Sequence, residues 1–139
     1  MLREQITDWG TANFHEPATD GAIAAAEAAL GTKLPDEILD LLRETDGVDG
    51  EYGLALVWPA ERIGKENAHF RSDQTFKDLY LPFEGLVFFS DGGNGDQFAI
   101  SLRGPQDIYV WNHEDDSRTW VASTLVEFLR RWMTGELQI

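Results

Sequence analysis

The stretch GLVFFSDGGNGDQFAISL, residues 85–102, constrains the fold more than any other part of the chain. Two apolar runs, each of strand length, flank a connection built from Gly92, Gly93, Asn94 and Gly95 between Asp91 and Asp96. These four residues supply the positive φ angles of a tight connection, so the runs are expected to pair as an antiparallel hairpin. Asp91 and Asp96 are expected to accept hydrogen bonds from the turn's own N–H groups.

The same loop fails as a ligand motif. A phosphate-binding loop needs Gly-Lys-Ser/Thr after its first glycine, and no lysine is near. Gly93 and Gly95 begin a dinucleotide fingerprint, but Phe98 stands where it requires glycine. A calcium loop of the EF-hand kind needs an oxygen ligand at Gly93, and the calcium-binding nonapeptide repeat needs aspartate at Gln97. The turn segment Gly92, Gly93, Asn94, Gly95 and Asp96 is therefore read as structural.

Elements on either side complete the fold class. TDGAIAAAEAALG reads as a helix capped by Thr19 or Asp20 and stopped by Gly31. In KLPDEILDLLRETDG, Pro35 and the acids Asp36 and Glu37 start a helix whose inward stripe is Ile38, Leu41 and Leu42. REQITDWG suggests a short first helix, and NFHEPATDG a loop. TDGVDGEYG reads as a turn and LALVW as a strand, while AERIGKENAHFRSDQTF has only weak helical periodicity. DIYVWNHE and RTWVAS continue the sheet. Thr124 and Glu127 have capping-box spacing before Leu125, Phe128, Leu129 and Trp132. Helices, then closely spaced strands, then a helix predict a single α+β domain over residues 1–139, with a largely antiparallel twisted sheet and a C-terminal helix packed on it. Its expected core is Leu34, Ile38, Leu41, Leu42, Phe88, Phe98, Ile100, Trp111, Leu125, Phe128 and Leu129. Trp58, Trp120 and Trp132 also fall on apolar faces.

Chemistry is sparse. The chain has no cysteine, hence neither a disulfide framework nor a thiol nucleophile. His113, Glu114, Asp115 and Asp116 cluster in WNHEDD, but Ser117 stands where a zinc helix needs its second histidine. No Gly-x-Ser-x-Gly elbow occurs. A small enzyme or metal protein using His113, Glu114 and Asp96 is thus a minor alternative. The opening residues lack the apolar run of a signal peptide, and no stretch reaches membrane-span length, so a cytoplasmic setting is expected.

Charge points to the kind of partner. There are 25 acidic and 11 basic residues, for a net charge of −14. Such a chain repels nucleic acid and anionic lipid and attracts a basic protein surface. Asp36, Asp40 and Glu44 recur every four residues opposite the apolar stripe, and Asp46, Asp49 and Glu51 follow, with Tyr52 beside them. Asp91, Asp96, Glu114, Asp115 and Asp116 form a second group at strand ends and turns. These residues are the candidate partner-binding set. Solubility alone is the competing explanation for both groups.

Taken together, AIAAAEAALGTKLPDEILDLLRETDGVDG, LVFFSDGGNGDQFAISL, IYVWNHED and VASTLVEFL resemble the SUKH superfamily, which contains fungal Smi/Knr-type cell-wall regulators and many bacterial immunity proteins. The pieces occur in the family's order from Ile23 to Leu129. Thr45-Asp46-Gly47 departs from the pattern, since the family usually has asparagine before this glycine. The resemblance implies a non-catalytic α+β binding domain without cofactor. It implies neutralisation of a toxin, often a nuclease or deaminase, with a regulatory adaptor as the alternative.

Overall fold

The computed structural model describes residues 2–139. The strands form two antiparallel ladders. β1 (Asn13–Phe14), β2 (Val48–Asp49) and β3 (Ala55–Val57) make the first. β4 (Leu86–Asp91), β5 (Gln97–Ser101), β6 (Ile108–Trp111) and β7 (Arg118–Ala122) make the second, in that order. The Trp58 N–H donates to the Phe89 carbonyl at 2.8 Å and joins the end of β3 to β4. Among the described residues, six helices, α1 (Leu2–Thr7), α2 (Asp20–Leu30), α3 (Asp36–Leu42), α4 (Ala60–Ser72), α5 (Gln74–Leu79) and α6 (Leu125–Met133), complete the α+β fold expected from the element order. No helix among the described residues is long and apolar enough to cross a membrane.

The second ladder is buried on both faces over β4 and β5. α6 covers one face, where Phe128 packs against Phe89 and Phe98 with ring centroids 5.5 and 4.6 Å apart. α4 and the segment after α5 cover the other. There Phe70 meets Phe88 edge-on at 4.9 Å, and Tyr80 and Phe83 meet Trp111 at 5.1 and 5.5 Å. Such edge-to-face contacts add to the stabilisation from buried area. All eleven residues of the expected core are buried. Trp120 is not: it is 48% exposed on β7.

Local chemistry explains the helix ends. Thr19 Oγ1 accepts the Ala22 N–H, and Gly31 closes α2 at φ 72°. Pro35 precedes α3 rather than opening it. Thr124 Oγ1 accepts the Glu127 N–H at 3.1 Å, while Glu37, on α3, accepts the Leu125 N–H at 3.0 Å. The start of α6 is therefore tied to α3 as well as capped locally.

Two segments differ from the expected reading, and a third, with helical character expected around Ile63, proves helical over most of its length. Asn13–Phe14, expected as loop, pairs with Val48–Asp49, which lies within the expected turn. Both strands have only two residues, too few for periodicity to register. The weakly periodic segment is two helices, broken at Asp73, whose side chain accepts the Phe76 N–H. Its inward positions include Gly64 and Asn67, both buried, which weakens the apolar pattern without changing the period.

Candidate functional site

A cleft of about 500 Å³ lies between a single 3-10 turn, Glu51–Gly53, and the β4–β5 hairpin. Glu51, Tyr52 and Leu54 line one wall, and Asp91, Asp96 and Gln97 the other. It joins members of two acidic groups that lie far apart in sequence. Among the described residues, no lysine, arginine or histidine lines it.

Tyr52 projects at the rim with its side chain fully exposed. Its φ is +58°, the left-handed region that a bulky residue seldom adopts. Backbone strain on the order of 1 kcal/mol is therefore held at a position whose aromatic ring stands clear of the protein. Glu51 beside it is exposed, with a carboxylate that makes no hydrogen bond or ion pair among the described residues.

The hairpin wall is rigid. Gly93 and Gly95 take positive φ of 88° and 95°, whereas Gly92 and Asn94 do not. Within the turn the Gly92 N–H donates to the Asp96 carbonyl at 2.8 Å, and Asn94 Oδ1 accepts the Asp96 N–H at 3.0 Å. Asp91 reaches outside the turn, and so does Asp96 through Oδ1, while its Oδ2 accepts a longer bond from Asn94 Nδ2 at 3.4 Å. Asp91 makes a two-pronged ion pair with Arg62 on α4, both bonds at 2.9 Å. Arg62 also stacks on Trp58 at 4.2 Å. Burial lowers the Arg62 pKa, but its bonds to Asp91 and Glu66 outweigh this and raise it above the ordinary value. Asp96 is buried, and its Oδ1 accepts from His113 twice, from the ring Nδ1 at 2.7 Å and from the N–H at 3.2 Å.

The remaining candidates separate by what their carboxylates do. Asp36 and Asp40 are exposed, and Glu44 is half-buried with the Arg3 N–H at 3.4 Å. Asp40 and Glu44 rim a groove of about 480 Å³ floored by Leu2, Leu41 and Val126. Asp46 accepts the Ala60 N–H at 2.8 Å and so caps α4 from a distance. Asp49 pairs with His15 at 2.8 Å. Glu114 is exposed, and Asp115 accepts the Ser117 N–H at 2.8 Å. Asp116 holds the β6–β7 turn, accepting from Leu81 N–H, Trp111 Nε1 and Arg118 at 2.9, 2.7 and 3.1 Å. Burial pushes the Asp116 carboxyl up, yet these three donors overcome it and hold it below the usual range.

Sequence reasoning named Asp91, Asp96 and Asp116 as surface acids and missed their internal bonds. Arg62, His113 and Leu81 come from elsewhere in the chain, and no local spacing signals them, whereas Trp111 and Arg118, the other donors to Asp116, lie within five residues of it. Asp96 and His113 do meet, but Glu114 is not part of the pair. Among the described residues, no group of three or more His, Cys, Asp or Glu side chains is placed to hold a metal.

A model of the SMI1 / KNR4 family (SUKH-1) matches residues 17–131. No curated protein matches the chain.

Proposed function

The chain belongs to the SMI1 / KNR4 family (SUKH-1), and from that premise we propose that it is a non-catalytic, cytoplasmic protein-binding domain that neutralises a toxin by direct contact. The toxin presents a basic surface, as nucleases and other enzymes acting on nucleic acid do. The observation that carries this reading is the cleft between Tyr52 and the hairpin, with acids and an exposed aromatic on its walls and no basic side chain. The Tyr52 ring beside the free Glu51 carboxylate suits a lysine or arginine side chain, because the cation gains from the ring face as well as from the anion, while Asp91 and Asp96 are already paired with Arg62 and His113. The net charge of −14 steers such a partner towards the domain.

The test is binding to the product of the neighbouring gene, measured by stopped-flow at low and high salt with the double variant Glu51→Gln, Tyr52→Ala. Neutralisation predicts a toxin gene at that position and a complex that dissociates faster in the variant. A regulatory adaptor predicts no toxin gene there and a cellular partner unrelated to toxin activity. A toxin complex untouched by the double variant moves the contact surface away from the cleft.

A further inference from the structure

The two edges of the four-stranded ladder are treated differently. Along β4, the Phe89 carbonyl accepts the Trp58 N–H, and Phe88 is bonded on both its N–H and its carbonyl by the Asn67 side chain. The other edge, β7, has no such cover. The Asn112 N–H donates to the Ser117 carbonyl at 2.9 Å, which fixes the phase of the β6–β7 ladder. With Val110 opposite Thr119 and Tyr109 opposite Trp120, antiparallel alternation turns the N–H and carbonyl of Arg118 and Trp120 away from β6. Neither finds another partner among the described residues. Only the Val121 carbonyl is occupied, by Arg131.

Side chains reinforce the contrast. Trp120 is 48% exposed and lies directly across from half-buried Tyr109. A groove of about 430 Å³ beside them is lined by Leu86, Tyr109, Arg103, Arg118 and Glu84. Residues 118–122 contain no acid, in a chain with 25 acidic and 11 basic residues. Edge strands are normally guarded by charge, proline or a covering element. Here a bulge opposite Ile108 and the Arg131 contact guard one end, and the Arg118–Trp120 segment stays open.

We propose that β7 pairs with β7 of a second copy of this chain, antiparallel about a two-fold axis at Trp120. On that axis the two Trp120 residues exchange both outward backbone bonds and bury their indoles together. The occupant is a second copy because the strand complements itself. Its single charge, Arg118, is brought across from Ala122, so no like charges meet. A basic partner of the kind read for the Tyr52 cleft is less suited to this edge, where Arg103 and Arg118 flank the groove against the single lining acid Glu84. The contact is short, below the ~800 Å² per partner of a standard interface, so the dimer is weak and concentration-dependent. Each copy carries a net charge of −14, and salt screens their mutual repulsion. Self-association therefore strengthens with salt, whereas steering of a basic partner weakens.

The experiment is sedimentation of the purified chain across a wide concentration range at low and high salt. Hydrogen exchange of the Trp120 amide is followed in the same samples. A dimer that tightens with salt is expected, with Trp120 exchange slowed as dimer forms. Trp120→Lys is expected to weaken it by about tenfold or more, with the circular dichroism spectrum unchanged. A chain that stays monomeric up to millimolar concentration at both salts overturns the proposal. A dimer that leaves Trp120 exchange fast overturns it without any variant.

Discussion

Asn67 and Phe88 exchange two hydrogen bonds across the packing of α4 on β4. The Phe88 N–H donates to Asn67 Oδ1 at 2.8 Å, and Asn67 Nδ2 donates to the Phe88 carbonyl at 2.9 Å. The amide thus occupies the place of a neighbouring strand. It closes the edge of β4 where β3 ends and fixes the register of α4 on the sheet. Nδ2 also donates to the Ile63 carbonyl at 2.8 Å, which holds the rotamer.

Replacing Asn67 by leucine keeps the branching at Cγ, with two bulkier methyls, and removes both partners of Phe88. Two buried backbone groups are then left without hydrogen bonds, at roughly 1–3 kcal/mol each. A loss of about 2–6 kcal/mol is expected in urea unfolding, as a lower midpoint at unchanged slope. A loss under about 1 kcal/mol means that water or a shifted β3 replaces the amide.

Asn67 also shows where the sequence is opaque. α3 and α6 are legible because Ile38, Leu41, Leu42 and Leu125, Phe128, Leu129 repeat at helical spacing between recognisable caps. The hairpin is legible because its glycines separate two apolar runs. α4 is not, since a buried amide and a buried glycine occupy its inward face. The cleft is half legible. Glu51, Tyr52, Asp91 and Asp96 are readable as acids and an aromatic near turns. That the 3-10 turn faces the hairpin depends on tertiary contacts that spacing does not encode, and Tyr52 takes its positive φ in a turn closed by local bonds between Gly50 and Leu54.

Gly93 and Gly95 separate two costs in one turn. Both have positive φ, so alanine at either is strained by on the order of 1 kcal/mol. A Cβ on Gly93 meets only Leu54 Cδ1, at 3.6 Å, an ordinary contact. A Cβ on Gly95 falls 2.7 Å from His113 Cε1, and that ring is held by Asp96. Gly95→Ala is therefore expected to destabilise more than Gly93→Ala and to shift the His113 ring resonances. Equal losses with an unmoved His113 ring contradict the packing argument.

Asp116 gives a pH dependence with a defined sign. Its folded pKa is lowered, because donors from Leu81, Trp111 and Arg118 outweigh burial. A group depressed in the folded state contributes stability above its unfolded pKa, about 3.9 for aspartate, and loses it as pH falls through the folded value. Asp116→Asn is expected to cost about 1–3 kcal/mol at neutral pH. The variant and parent should converge as the solution is acidified below about pH 4. A constant gap across that range argues that the side chain acts by shape rather than charge.

The acids also divide into those that hold the fold and those free to meet a partner, and the two classes predict different measurements. Asp46 accepts the Ala60 N–H, Asp91 pairs with Arg62, and Asp116 holds the β6–β7 turn. Neutralising these lowers stability. Asp36, Asp40, Glu51 and Glu114 are exposed, and their charges lie on the surface. Changing these four to amides lowers the net charge from −14 to −10, since each removes one of the 25 acids. Stability is expected to change by no more than about 0.5 kcal/mol, because exposed charges contribute little locally. Association with a basic partner is a long-range matter, so its rate should fall and its salt dependence flatten, with dissociation little changed except where Glu51 touches the partner. Stopped-flow association at several salt concentrations, beside urea unfolding of the same variant, reads both quantities. If the four changes leave the association rate and its salt slope intact, these carboxylates serve solubility, and recognition rests on Tyr52 and its apolar neighbours.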